Sequence, residues 1–386
     1  MKALVVIDNL YTGGIASSFL NFLKYFVDYT ECDILVFNGV IPDKTLIPSK
    51  VKILPTNKRL LLLGCSQKEI GKNHKFLSIL RVILVCIGRL TSGVVARKIL
   101  FSSYTIPHKY DIAISFTHDD KWNTFSRGCN QFVLTCVDAK EKVSFVHCDF
   151  LKFEGFNLKY GEIYNKFNHI VCVSNSCRKS FISCFPNLNN KCVVVENFIN
   201  EERIVKLSKN PIIYNSNVVN ILSVCRISEE KGLFRAAKCF RKLKMNGIIN
   251  FHWTVVGGGS LLENFRSILY KYGLTEFVTL VGEQNNPYPY FVNANLFLLP
   301  SYHEAAPMVF GECNVLGIPI LSTETISARE LVEDRSVGVV CENSEDGIYN
   351  SLKLIIENNG KIKDYQRINN VNQFSKTSLE LFLKLL

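Results

Sequence analysis

Short, continuously apolar runs punctuate the chain. Between them lie stretches whose apolar positions recur every three to four residues. In the first half the runs are ALVVI (3–7), CDILVFN (32–38), VKILP (51–55), YDIAISF (110–116), KVSFVHC (142–148), HIVCVSN (169–175) and KCVVVEN (191–197). A second series follows: VNILSVCR (219–226), FHWTVVGGG (251–259), FVTLVGE (277–283), ANLFLLPS (294–301) and GIPILST (317–323). Runs without polar alternation are strands buried on both faces, and the helical stretches between them are crossover connections. The pattern therefore predicts an α/β protein with two parallel sheets, over 1–200 and 219–365. Residues 201–218 are polar, with Pro211 and several Asn, and read as a linker. The last stretch, from about 361 with a terminal helix at 366–386, reads as helical.

A chain of 386 residues exceeds one ordinary core, which agrees with two domains. In open parallel sheets, ligands bind at the carboxyl ends of the strands. A cleft onto which both sheets face is the expected site. The composition, 47% hydrophobic and 20% charged, excludes a disordered chain.

Charge adds one feature. The net charge is +11 and unevenly spread. Residues 58–100 hold Lys58, Arg59, Lys68, Lys72, Lys75, Arg81, Arg89, Arg97 and Lys98 against the single acid Glu69. They flank FLSILRVILVCIGRL, so this segment reads either as a solvated helical face or as a membrane-surface contact. Few aromatics lie between the charges, which disfavours nucleic acid. The 14 cysteines are scattered, without C-x-x-C, as small buried hydrophobes in a reducing compartment. No run reaches the roughly 18 apolar residues of a spanning helix. The expected location is cytoplasmic, with peripheral attachment to the inner membrane face through 58–100.

Candidate chemistry clusters at strand ends. YTGGIASSF sets Gly13 and Gly14 between a strand and a helix, where backbone amides can meet an anion. This is not G-x-G-x-x-G, which counts against a dinucleotide dehydrogenase. SVCRISEEKG puts Arg226 at a strand end and Lys231 five residues on. Such cations suit a diphosphate, and a surface ion pair with Glu229 or Glu230 is the other reading. VVGGGSLLENF, centred on Gly258, carries three glycines, more than steric need usually asks. SYHEAAPMVFGE (301–312) holds two carboxylates, Glu304 before a helix and Glu312 about one turn inside it. Pro307 suits the first helical turn. Eight residues of helix would separate the two by roughly 12 Å, a spacing for a long ligand with phosphates at the Met308 and Val309 amides. When each is read alone, a helix cap and an ion pair explain them better.

Taken together, R-x4-K after one strand, a triple-glycine turn, and E-x7-E after another resemble the retaining glycosyltransferases of group 4 (GT4). Those enzymes have the GT-B architecture of two Rossmann-like domains. The resemblance covers nearly the whole chain and is most specific across 219–333. SFVHCD and IVCVSNSCRKSF in the first half are similar to that family's histidine-bearing strand end and serine-marked strand. The resemblance implies that Arg226 and Lys231 bind the donor diphosphate and stabilise the leaving group. It implies Glu312 at the ribose, Glu304 at the transferred sugar, and His147 beside that sugar. Pro307 and the amides of Met308 and Val309 would meet the distal phosphate, with Gly13 and Gly14 meeting it from the first domain. Gly282 and Glu283 would lie near the base, with Gly258. The terminal helix would cross back onto the first domain. Ala305-Ala306 and Cys313 depart from the residues usual in that family, which leaves the sugar undetermined.

The implied reaction is retaining transfer from a nucleoside diphosphate sugar, UDP-linked, to a saccharide acceptor. That acceptor is expected to be lipid-linked, in capsule, O-antigen or exopolysaccharide synthesis. Charge stabilisation falls to cations and helix amides, so no metal and no cofactor is expected. Alternatives are a nucleotide-sugar epimerase of the same fold and a non-catalytic sugar-nucleotide-binding protein. The intact pairs Arg226/Lys231 and Glu304/Glu312 disfavour both.

Overall fold

The computed structural model describes residues 1–11, 13–102, 104–152, 157–362, 365 and 372–386. The chain divides into two units, one of Met1–Phe198 with Phe374–Leu386 and one of Ile199–Gln373.

Unit 1 is built on seven parallel strands: β1 (Lys2–Ile7), β2 (Glu31–Val36), β3 (Lys52–Ile53), β4 (Lys109–Ser115), β5 (Asp138–Val146), β6 (His169–Cys172) and β7 (Cys192–Val194). Their order is β3-β2-β1-β4-β5-β6-β7. β1 shows why an unbroken apolar run becomes a central strand: Ala3 through Ile7 are fully buried, so both faces need packing partners. Helix α1 (Gly14–Phe26) supplies one partner through Phe19, Phe22 and Phe26. The C-terminal helix Asn372–Leu383 supplies another. Its Phe382 ring meets Phe22, Phe26 and Phe145 at centroid distances of 5.2, 5.6 and 5.9 Å. The region read as basic and helical contains α2 (Lys75–Leu90), among shorter helices. The expected terminal helix at 366–386 is described only from residue 372; residues 363, 364 and 366–371 lie outside the described set.

Unit 2 is built on six parallel strands: β8 (Val219–Val224), β9 (Phe251–Val256), β10 (Val278–Gly282), β11 (Leu296–Leu299), β12 (Ile320–Thr323) and β13 (Gly338–Cys341), in the order β10-β9-β8-β11-β12-β13. The edge strand β13 has no counterpart in the sequence reading. It is four residues long and begins at a glycine, so it carries too little apolar run to declare itself. A second finding concerns 201–218, read from the sequence as the linker. It carries α3 (Glu201–Leu207), capped by the Asn200 side chain on the Arg203 amide, with Glu201 and Glu202 in its first turn. α3 packs on α4 (Met308–Leu316). A Cβ on Gly311 would lie 2.5 Å from the side chain of Ile199, just ahead of α3, so glycine sets how closely that entering segment approaches α4.

Each sheet reverses its strand order once, between β1 and β4 and between β8 and β11. These are the positions where parallel sheets open a crevice at their carboxyl ends.

Candidate active site

In unit 2 the loops leaving β8 and β11 carry Arg226, Lys231 and Glu304. Gly232 has φ +66°, and a Cβ there would stand 1.9 Å from the Pro300 carbonyl oxygen. Glycine at this position lets the segment after β8 lie directly on the segment after β11. Arg235 fixes that second segment from below. Its Nε and Nη2 donate to the Pro300 carbonyl at 2.9 and 2.7 Å, and Nη2 donates to the Ser301 carbonyl at 2.8 Å. Its guanidinium also sits 3.8 Å from the Tyr302 ring centroid.

The result is a short charged contact. Lys231 Nζ donates to Glu304 Oε1 at 2.6 Å, with the two side chains 21% and 12% exposed. Ser301 Oγ donates to the same oxygen at 2.8 Å. Arg226 stands outside this contact: it is 72% exposed and pairs with Glu230 at 3.1 Å. Glu230 is also held by Ser228 at 2.6 Å. All four charges surround the Cys225 thiol, which burial pushes up to about 12.

The triple glycine has a steric reason. Gly257 and Gly259 have φ of +147° and +150°, and a Cβ at each would lie 1.9 Å from Cys225 O and 2.4 Å from Ile227 O. The turn thus packs backbone to backbone against the loop that carries Arg226, joined by Ile227 N–H to Gly258 O at 2.7 Å. Steric need alone accounts for two of the three residues, contrary to the sequence reading. Gly258 itself sits beside Glu283, whose Cβ would be 3.3 Å from an added methyl. Gly282, φ +84°, accepts from the Gly257 amide at 2.9 Å.

α4 begins at Met308, with Pro307 flanking it in extended conformation rather than inside the first turn. The amides of Met308 and Val309 are among the first of the helix, where no intrahelical acceptor exists. Glu312 is one turn further in and half-buried. Burial raises its carboxyl to about 7, against the Tyr288 hydroxyl and the Arg203 charge, which lower it. Tyr288 Oη donates to Glu312 Oε1 at 3.3 Å.

Gly13, Gly14 and His147 belong to unit 1. Gly13 precedes α1 and Gly14 opens it, with no side-chain cap on the first turn. His147 follows β5, its ring 5.8 Å from Phe145 and nearly parallel to it. Burial, then the Arg127 charge, pushes its pKa down to about 3, so the ring is neutral. Sequence reasoning missed Arg127, Ser301, Tyr288 and Arg203. Ser301 had a signal, since it directly follows the strand-ending proline. Arg203 was hidden in the supposed linker. Among the described residues, no group of three or more His, Cys, Asp or Glu gathers as a metal site.

Residues 207–373 match the model for glycosyl transferases group 1. This segment, less than half of the chain, is similar to a group 1 glycosyltransferase domain. It contains the Lys231–Glu304 contact, the glycine turn and α4. Among sequence relatives, the putative colanic acid biosynthesis glycosyltransferase WcaL of Escherichia coli is 31% identical over 147 residues, 36% of either chain. The amylovoran biosynthesis glycosyltransferase AmsK of Erwinia amylovora is 34% identical over 128 residues, 31% of either chain. A Campylobacter jejuni relative is named as an N-acetylgalactosaminyltransferase acting on a diphospho-undecaprenol-linked saccharide. It is 26% identical over 206 residues, 53% of this chain and 55% of that protein. The matches span between about a third and about half of these relatives' own length. Anabaena HepE, solved with UDP and glucose, is similar in fold, with a TM-score of 0.66. The identity is 17%, with all of both chains covered. The fold of two parallel-sheet units is therefore that of the GT-B glycosyltransferases.

Proposed function

We propose that the protein is a retaining hexosyltransferase of the GT4 type. It would move a sugar from a nucleoside diphosphate sugar, UDP-linked, to a lipid-linked saccharide in surface polysaccharide synthesis. The observation that carries this reading is the Lys231–Glu304 contact, held between two strand ends at the point where the sheet order reverses. A cation and a carboxylate joined there can be parted by a donor that offers each its own partner. Lys231, Arg226 and the Met308 and Val309 amides would take the diphosphate, and Glu304 the sugar hydroxyls. Pro307 ends the loop so that those amides face outward. Glu312 would take the ribose, and Gly258, Gly282 and Glu283 would border the base. Gly13 and Gly14 offer amides to the distal phosphate from unit 1, and neutral His147 places the sugar.

In the step itself, the bond from the anomeric carbon to the diphosphate oxygen breaks as the acceptor oxygen bonds to that carbon from the same face. The acceptor hydroxyl's proton passes to the departing phosphate oxygen. Neither a covalent nucleophile, a metal nor a cofactor is needed, because positive charge on the protein meets the charge that develops.

α2 supports a lipid-borne acceptor and a place at the inner face of the membrane. Phe76, Ile79, Ile83, Cys86 and Leu90 are exposed and recur along one side of that helix. Lysines and arginines surround them, against the lone acid Glu69. An anionic bilayer complements both features, whereas a second copy of the same surface would bring like charges together. No helix among the described residues is long and apolar enough to cross a membrane. The C. jejuni relative's named acceptor, carried on diphospho-undecaprenol, is of the same kind.

The test is a screen of nucleoside diphosphate sugars for protection against thermal unfolding, followed by assay of nucleoside diphosphate release with and without saccharide acceptors. Acceptor-dependent release with an α-linked product from an α-linked donor is expected. Protection without transfer to any acceptor, or release as epimerised sugar, would overturn the reading.

A further inference from the structure

We infer that Tyr288 and Arg203 are positioning residues for Glu312, holding its carboxylate so that one oxygen is anchored and the other is left for the ribose of a nucleoside diphosphate. The inference rests on the reading that Glu312 takes the ribose.

Tyr288 Oη donates to Oε1 of Glu312 at 3.3 Å. Oε2 has no protein partner among the described residues. Three pieces of chain meet to create this arrangement. α3 packs against α4, with Ile199 just ahead of α3 lying over Gly311, and the Arg203 charge acts on both Glu312 and Tyr288 without ion-pair contact. The turn carrying Tyr288 is tied to α3, because Asn286 Nδ2 donates to the Leu207 carbonyl at 2.8 Å. Asn286 Oδ1 in turn accepts from the Tyr288 amide at 3.3 Å. The other end of the turn is pinned by Phe291, stacked on Phe297 of β11 at 5.6 Å with 7° between the planes. Tyr288 is 8% exposed, so its hydroxyl has few other directions available. A half-buried carboxylate with one oxygen fixed by a neutral donor and a nearby positive charge is poised to accept through the other, whose two lone pairs can take hydroxyls of a vicinal diol.

Tyr288→Phe and Arg203→Gln test this by calorimetry. The probe is whichever of uridine, guanosine and adenosine diphosphate binds tightest to the wild type, together with its 2′-deoxy form. The wild type should prefer the ribonucleotide about tenfold or more. In both variants that ratio should fall several-fold while the melting temperature stays near that of the wild type. Lys231→Ala should weaken both nucleotides and leave the ratio intact. A wild type that does not distinguish ribose from deoxyribose removes the ribose role of Glu312 itself. A wild type that does, with variants keeping the same ratio or losing both nucleotides equally, overturns the positioning role alone.

Discussion

Lys231 and Glu304 are each other's partner, 2.6 Å apart across the loops that leave β8 and β11. Neither needs the other to fold, since the surrounding backbone is fixed by Gly232 and Arg235. Glu304→Gln should therefore keep the melting temperature within a few degrees while turnover falls by about a hundredfold or more, the usual cost of losing a charged group that acts on the reacting centre. Unchanged transfer rates in that variant would remove Glu304 from the site.

Lys231→Ala should weaken binding of the nucleoside diphosphate. A charge-assisted hydrogen bond is worth about 1.5–3 kcal/mol, so the dissociation constant should rise about 10- to 150-fold. Arg226→Ala should cost less in the free protein, because Arg226 is exposed and already paired with Glu230. Calorimetry on the two variants compares them directly.

The glycine turn separates packing from binding. Gly257→Ala and Gly259→Ala place a methyl against backbone oxygens in a left-handed conformation and should lower stability by at least 1–3 kcal/mol each, roughly the cost of strained backbone. Gly258→Ala meets only the Glu283 side chain and should fold normally. Thermal denaturation of the three variants decides this, and equal losses at all three positions would count against it.

Glu312 supplies a pH dependence. Its carboxyl is raised to about 7 by burial, above an unfolded value of about 4.3, so the folded state holds this proton more tightly. The stability this contributes is present below the unfolded value and is lost as pH rises through about 7. Between those limits the wild type should lose about 4 kcal/mol relative to Glu312→Gln, at about 1.4 kcal/mol per unit. Donor binding runs the opposite way, because the carboxylate accepts from a diol more strongly than the protonated acid does. Nucleotide affinity should fall as pH drops below about 7. Affinity independent of pH between 5.5 and 8 would contradict the assignment.

Ile79→Glu with Ile83→Glu should abolish sedimentation with vesicles containing anionic lipid. Transfer to a water-soluble acceptor should be retained. Wild-type protein that ignores such vesicles, or that self-associates through α2 and is made monomeric by the pair of changes, would show that the face serves another purpose.

The strands of both sheets were legible because a strand buried on both faces leaves nothing to chance: Ala3–Ile7 and Leu296–Leu299 contain no polar residue at all. Glu304 and Glu312 were legible for a related reason, since they interrupt apolar surroundings, and Lys231 through its spacing from Arg226 at a strand end. Their partners were not. Tyr288 reads as one more aromatic in a proline-rich turn, and nothing local reveals that its hydroxyl meets Glu312. Arg203 was lost because polar residues were taken to mean linker, although Asn200, Glu201 and Glu202 are a helix-start signal before Ile204. The glycine turn erred in the other direction: glycines at a strand end suggested phosphate, while Gly257 and Gly259 answer to the carbonyls of Cys225 and Ile227.

Phe382 closes the aromatic cluster of Phe22, Phe26 and Phe145, so the opening unit is completed by residues translated after the whole of unit 2. On the ribosome, the second unit emerges entire while the first still waits with its phenylalanines uncovered. The order of synthesis and the order of completion are therefore reversed, and a nascent chain halted before Phe374 leaves a sticky first half for chaperones to guard.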